Sequence, residues 1–374
     1  MPQISYALLV DGNPVDPEVL AAVRQVDVED HADLADIMRL AIGIGVREDG
    51  AGWAVLDDDL FGRLRRLTVT VAVGSGQAET LLHAHVVETR IDLSSQPGHS
   101  VLRVVALDPS VLMHLEEKVR AWPDMTDADI ASAVFGEYGF TPKVESTQPT
   151  RQDDDATTVQ RGSDIQFLRR LAGRNGCECY VEVQPVSGTI EGHFHPPKVD
   201  ATPQPALSVN LGSATNVDAF AARFDMLRPV TVEGGSLDAE DEDEQQVQVD
   251  RATLRALGKV AAGPEDRRRK ILLTGTGLSQ AGELQTYAQA VADESAWALT
   301  AEGELDTAAY GGVLRAKRPV LVRGAGQRFS GTWYVERVLH TFTADGYTQR
   351  FTLRRNALGV TGQERFVDAG SGAA

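Results

Sequence analysis

The chain has 374 residues, 24% of them charged and 42% hydrophobic, a soluble globular composition with room for roughly two to three domains. Its formal net charge of −18 at pH 7 opposes nonspecific contact with nucleic acid and anionic membranes, which are themselves polyanions. MPQISYALLV has no basic stretch before its short apolar run, no run approaches the roughly 18 residues of a spanning helix, and one C-x-C cannot make a disulfide framework. The sequence therefore predicts no signal peptide, no membrane anchor, no nucleic-acid partner and assembly in a reducing cytoplasm.

Residues 6–16 read as a hairpin, with Asp11-Gly12-Asn13-Pro14 supplying the turn chemistry. In Leu67–Val73, Val69, Val71 and Val73 alternate with Thr68, Thr70 and Ala72. Turns and two further runs, 81–93 and 101–107, complete a three-strand meander. Asp108-Pro109 has the form of an N-cap and first helical residue, with Val111, Leu112, Leu115 and Val119 on one face. Thr126 caps a second short helix carrying Ile130, Val134 and Tyr138 before Gly139.

After a polar loop at 146–158 comes the strongest local signal, a helix running into a strand over 161–183. Ser163 and Gln166 have capping-box spacing. Ile165, Leu168, Leu171 and Ala172 form one face, while Arg169, Arg170 and Arg174 occupy the other face and the last turn. Gly173 and Gly176 stop the helix. Cys177, Cys179, Val181 and Val183 then alternate with Glu178, Tyr180, Glu182 and Gln184, the period of a half-buried strand.

Proline and polar residues mark 195–205 as a connection, and 206–235 is weakly strand-like. The carboxylate run at 237–246 reads as a solvated loop whose self-repulsion opposes burial. Leu284, Tyr287, Ala288, Val291 and Leu299 mark a helix of several turns. Strands follow at 318–326, 330–343 and 346–356. Strand, turn, long central strand, turn and closing strand occur in both halves, which suggests an internal repeat.

SDIQFLRRLAGRNGCECYVEV resembles the helix-strand signature of phage late control D proteins, the hub of contractile tails, and of the hub half of type VI secretion spike proteins. Thr126–Phe140 resembles the short helix preceding that signature. At the C-terminal end, Ser330, Gly331, Tyr334, Val335, His340, Gly346, Tyr347 and Asn356 follow the hub pattern of a strand, a central His and a Gly-Tyr turn. The resemblance implies a β-rich α+β fold with two tube-like β-barrel or sheet domains and an inserted helix-strand domain. The expected divisions are a first tube-like domain at 1–108, an inserted α+β domain at 109–205, a connecting segment with the acidic loop at 206–260, and a helix plus second tube-like domain at 261–374. It also implies a homotrimer forming a pseudo-six-fold ring between a hexameric inner tube and a trimeric spike, with other baseplate proteins around it. The chain stops soon after the second strand cluster, so the spike is expected to be a separate protein. The expected location is the cytoplasm during assembly, then a phage tail or contractile injection particle.

One constellation invites chemistry. A hairpin centred on Val186 sets Cys177 opposite His195 and Cys179 opposite His193, four zinc-compatible ligands on one surface. A two-residue turn at Ser187-Gly188 instead shifts the partners by an odd number and moves the histidines to the opposite face. The simpler reading treats the thiols as small buried hydrophobes. His83-x-His85 reads as a polar sheet face. Neither Gly324-x-Gly326 nor Gly275-x-Gly277 has the strand-to-helix context of a dinucleotide site. The basic cluster Arg267, Arg268, Arg269 and Lys270 reads as a solvated strand entry or subunit contact. No cofactor or catalytic residue is expected; the competing class is a zinc-binding or cell-wall-active tail enzyme, which would need a bound metal or a cleft with paired carboxylates.

Overall fold

The structure is a computed structural model that describes residues 4–47, 50, 52–57, 59–74, 76–147, 157–237, 244–262, 268–274 and 281–369. Positions 238–243 of the acidic run, Gly275-x-Gly277, Arg267 and 148–156 of the polar loop lie outside the described residues.

The first strands are β1 (Ile4–Val10), β2 (Asn13–Pro14), β3 (Val23–His31), β4 (Ile37–Gly43), β5 (Arg66–Val73), β6 (Glu79–Asp92) and β7 (Val101–Leu107), with the short helix α1 (Pro17–Ala22) before β3. The β1–β2 turn places Asp11 and Gly12 at φ 50° and 87°, the left-handed region that Asp-Gly favours. The meander forms as anticipated: β5, β6 and β7 are antiparallel neighbours. Val69, Val71, Leu82, Ala84, Val104 and Ala106 pack with Val26, Val28, Leu40 and Ile42 into one core.

Next come β8 (Glu117–Trp122), α2 (Asp127–Glu137), β9 (Thr141–Val144), β10 (Thr158–Ser163), α3 (Asp164–Arg174), β11 (Glu178–Val183) and β12 (Ile190–His195). Asp108 caps as expected, accepting from Ser110 N at 2.7 Å, but only a 3-10 turn, Pro109–His114, follows. Val119 lies in β8, 84% exposed, because 117–122 finds a ladder partner in β10. Helix α2 has its capping box, with Thr126 and Asp129 exchanging bonds. Helix α3 starts where expected but without the box, since the Ser163 hydroxyl pairs with His114 Nδ1 at 2.8 Å. Strand β11 is buried on both faces rather than one, because Cys179 and Val181 meet α3 while Glu178 and Tyr180 meet the last part of the chain.

The remaining strands are β13 (Gln204–Ser208), β14 (Val217–Phe224), β15 (Val230–Leu237), β16 (Glu244–Val249), β17 (Val260–Ala261), β18 (Arg269–Leu273), β19 (Leu299–Asp306), β20 (Pro319–Arg323), β21 (Gly331–Thr343), β22 (Gly346–Arg355) and β23 (Ala357–Leu358). Helices α4 (Ala281–Ser295), α5 (Thr307–Tyr310) and α6 (Gly326–Phe329) lie among them. The weakly strand-like 206–235 supplies β14 and most of β15, and β16 (Glu244–Val249) begins within the carboxylate run. Helix α4 ends before Leu299, which opens β19 inside a second core with Trp333, Val335 and Leu353.

Among the described residues no sheet closes into a barrel. One open 13-stranded sheet runs β14-β19-β22-β21-β3-β4-β7-β6-β5-β1-β2, with β20 on β21 and β13 on β20. Its middle contains a repeat. β14-β19-β22-β21 and β3-β4-β7-β6 each place their four strands in the order first, second, fourth, third, and the two sets meet head to tail where β21 pairs with β3.

Candidate functional site

Four consecutive residues before β20, Arg315 to Arg318, fasten the parts of the chain together. Arg315 donates to Leu81 O at 2.9 Å, Thr80 O at 2.8 Å and Glu79 at 2.8 Å, all on β6. Lys317 donates to Asp30 at 2.6 Å and to both oxygens of Asp36 at 3.0 Å. Arg318 donates to Glu182 of β11 at 3.1 Å. Lys317 takes φ 64°, left-handed for a residue with a Cβ, a strained conformation that its fixed ammonium contacts can sustain.

A buried ammonium is costly to desolvate unless its charge is answered. Burial pulls the Lys317 pKa down, but Asp30 and Asp36 outweigh it and hold the lysine charged. Burial pushes both carboxyls up. For Asp30 the ammonium, Arg315 and the Ala316 amide prevail and its pKa falls. Asp36, facing Asp30 and Asp108 as well, stays raised. Asp30 is therefore the ionised partner.

The β11–β12 hairpin makes the second junction. Its register sets Glu178 opposite His195, Cys179 opposite Phe194 and Tyr180 opposite His193. Both histidines thus share a face with Glu178 and Tyr180, and Cys179 points the other way, so the four zinc candidates do not converge. The shift is odd, which moves the histidines to the other face, but the turn is not the two-residue Ser187-Gly188: Gln184 faces Thr189 across the loop 185–188. Among the described residues no group of three or more His, Cys, Asp or Glu is arranged to hold a metal. His195 Nδ1 donates to Pro196 O at 2.8 Å, leaving Nε2 to accept from His193 Nδ1 at 3.1 Å. His193 stacks on Tyr180, and burial pushes its pKa down to about 2. Burial also pushes both thiols up to about 12, which suits packing and not nucleophilic chemistry.

Glu178 receives Arg354 at 2.6 Å and Tyr334 OH at 2.7 Å, and burial still pushes it up to about 7. Arg354 lies over the Trp297 and Tyr334 rings. These groups border a cleft of about 1170 Å³ between α3, α4 and 196–201. Two of its carboxylates are engaged structurally: Asp293 accepts from Thr253 N and Oγ1, and Asp200 pairs with Arg255. His83 and His85 face Thr68 Oγ1 and Leu64 O within the first sheet. Gly324 sits at φ 84° against Val209 O, ahead of the four-residue α6 and then β21. The described part of the basic cluster meets acceptors nearby, Arg268 at Asp250 O and Lys270 at Glu233.

A family model described as the Alg8 N-terminal domain matches residues 2–344. The chain belongs to the Alg8 N-terminal domain family. No curated protein matches its sequence. Among solved structures it is similar to the tail protein from Neisseria meningitidis MC58, at 13% identity and TM-score 0.64, covering 94% of this chain and 97% of that one. The prophage MuSo2 43 kDa tail protein from Shewanella oneidensis gives 13% identity and 0.63, covering 95% and 100%. The E. coli c3393 protein, a type VI secretion component described as structurally similar to bacteriophage T4 tail proteins gp27 and gp5, gives 11% and 0.57, covering 96% and 80%. At these identities the likeness is one of fold. The fold is thus that of phage and type VI secretion tail proteins, in line with the hub resemblance seen in the sequence.

In this member of the Alg8 N-terminal domain family, several residues that carried the resemblance act as fasteners. Tyr334 holds Glu178, His340 Nδ1 lies 2.7 Å from Tyr347 OH, and Asn356 accepts from Leu257 N at 2.8 Å. Sequence reasoning missed Arg315, Lys317 and Arg318, because a basic run entering a strand has the same local pattern whether solvated or buried. Two stretches of the repeated modules lack an outer partner strand among the described residues: β14 on the side away from β19, and β6 beyond Val86 on the side away from β7.

Proposed function

We infer that the chain is a structural hub of a contractile tail or injection-system baseplate, three copies forming a pseudo-six-fold ring that joins a hexameric inner tube to a trimeric spike. The observation that carries this reading is the four-strand module occurring twice, head to tail, in one sheet. Three such chains supply six modules of one topology to a six-fold tube while keeping three-fold symmetry toward a spike. The fasteners at Arg315–Arg318 suit such a part, since they fix one module against the other. The fold of tail proteins supports the same reading, as do the Francisella PdpA–VgrG complexes, at 7% identity and TM-score 0.59 for one of them. On this reading the partners are a spike protein, an inner tube protein and other baseplate proteins, with no role for nucleic acid, membrane or catalysis. The chain assembles in the cytoplasm and ends in the particle. The tube-like units are drawn at 1–108 and 261–374, the second completed by β14 from the segment 206–260, around an insert at 109–205.

Coexpression with neighbouring spike and tube genes, followed by mass measurement and particle imaging, tests this. A three-fold ring bound to tube and spike is expected. A chain that stays monomeric and co-purifies with neither overturns it.

A further inference from the structure

The two modules match beyond strand order. Their long third strands, β6 (14 residues) and β21 (13), each give their first half to a flanking strand, β5 or β20. Each shifts register midway, between Val86 and Glu88 in one and between Val335 and Arg337 in the other. Past the shift, β21 pairs with β3 from Arg337↔His31 to Thr343↔Gln25. The corresponding half of β6 has no such partner among the described residues. The first strands match too: β3 shifts against β4 between Val23 and Gln25, and β14 shifts against β19 between Val217 and Ala219. Aligning the shifts makes Glu88 equivalent to Arg337 and Ala219 equivalent to Gln25. The junction inside one chain therefore specifies a second junction with its own register.

We propose that the β6 edge of one copy pairs antiparallel with the β14 edge of a second copy, with Thr89 opposite Phe224, Ile91 opposite Ala222 and Leu93 opposite Phe220. This rests on the ring reading above and names the strands that close it. The apolar face of the two edges agrees independently. Within the chain, the equivalent pairs His340/Val28 and Phe342/Val26 are buried, whereas Ile91 and Leu93 are 47% and 55% exposed. Phe220 and Phe224 are half-buried at the rim of the second core, so the junction covers four apolar or aromatic side chains. On the outer face the same register sets Glu88 opposite Asp225 and Arg90 opposite Arg223, like charges whose repulsion is offset by the opposite-charge diagonals Glu88 to Arg223 and Arg90 to Asp225. β14 itself, VDAFAARF, has no proline or lysine, and its run Ala219–Ala222 beyond the shift carries no charge to deter pairing.

The test uses full-length protein coexpressed with the neighbouring tube and spike genes. Copies carrying Ile91→Cys are assembled with copies carrying Ala222→Cys, and disulfide yield under mild oxidation is compared with Ile91→Cys plus Ala221→Cys. All three positions are solvent-facing or half-open, and single variants that assemble normally report intact folding. Directly opposed positions are expected to cross-link about tenfold more than the offset pair, because a disulfide tolerates only a narrow Cα separation. The double variant Ile91→Cys/Ala222→Cys should give a closed covalent trimer. Assembled rings with no preference for this pair overturn the inference and leave the hub reading standing. Failure of the unsubstituted chain to form any ring removes both.

Discussion

Lys317 and Asp30 stand 287 positions apart in sequence, yet their side chains meet at 2.6 Å inside the junction between the two sheet modules. The lysine ammonium also reaches Asp36, so one cation holds β3, the 32–36 turn and the approach to β20 together. Lys317 donates to both carboxylates, while Arg315 lowers the Asp30 pKa from a distance.

Lys317→Met should therefore destabilise the protein by about 3–5 kcal/mol, since it strands buried carboxylates. Denaturant unfolding reads this as a lower midpoint with little change in slope. Adding Asp30→Asn should recover part of the loss; equal stability of the single and double variants would show that the pair is not coupled.

Asp30 also sets an acid limit. Its folded pKa is depressed, so its contribution is present above the unfolded value of about 3.9 and is lost as pH falls below it toward the lower folded value. Thermal melts should show an acid-induced fall in stability that Asp30→Asn makes shallower.

Glu178 works in the opposite sense. Its folded pKa is raised to about 7, so its contribution is full below the unfolded value of about 4.3 and declines as pH rises to 7. Glu178→Gln keeps an acceptor for Tyr334 and should flatten the pH dependence of the melting temperature across that window. An unchanged profile would place the titration elsewhere.

Arg355 is fully buried over the Trp333 ring and its guanidinium donates to carbonyls, Leu257 O at 2.9 Å, Ser330 O at 3.0 Å and Gly359 O at 2.6 Å. Only a planar fork reaches several carbonyls at once. Arg355→Lys should be nearly as damaging as Arg355→Met, each by about 2–4 kcal/mol in equilibrium unfolding.

The thiols offer a direct check on the hairpin register. Native protein at pH 8 should leave Cys177 and Cys179 largely unreactive toward a thiol reagent, with both reacting on unfolding. Elemental analysis should find no stoichiometric zinc. Bound zinc released by substituting His193 would contradict the register described here.

Local pattern carried far in this chain. The alternation in Leu67–Val73 could only bury one valine face, the Thr126 cap opened a helix where expected, and the 161–183 signature located α3 and β11 within a residue or two. Each of these depends on neighbours a few positions apart. Where a local pattern had two outcomes, partners distant in sequence chose between them. Residues 117–122 became a strand because β10 lay alongside, and Ser163 gave up its capping bond to His114. Burial of Lys317 depended on carboxylates brought from the other half of the chain.

The sequence by itself determined the β5–β7 meander, the late strands β20 to β22, the helix signature and the hub resemblance, because side-chain periodicity and capping act over a few residues. Tertiary structure alone decided that Cys179 and His193 face apart, through the Gln184–Thr189 closure that sets the hairpin's odd register. It also decided which strand edges remain open, because an edge exists only once every other strand has found its place.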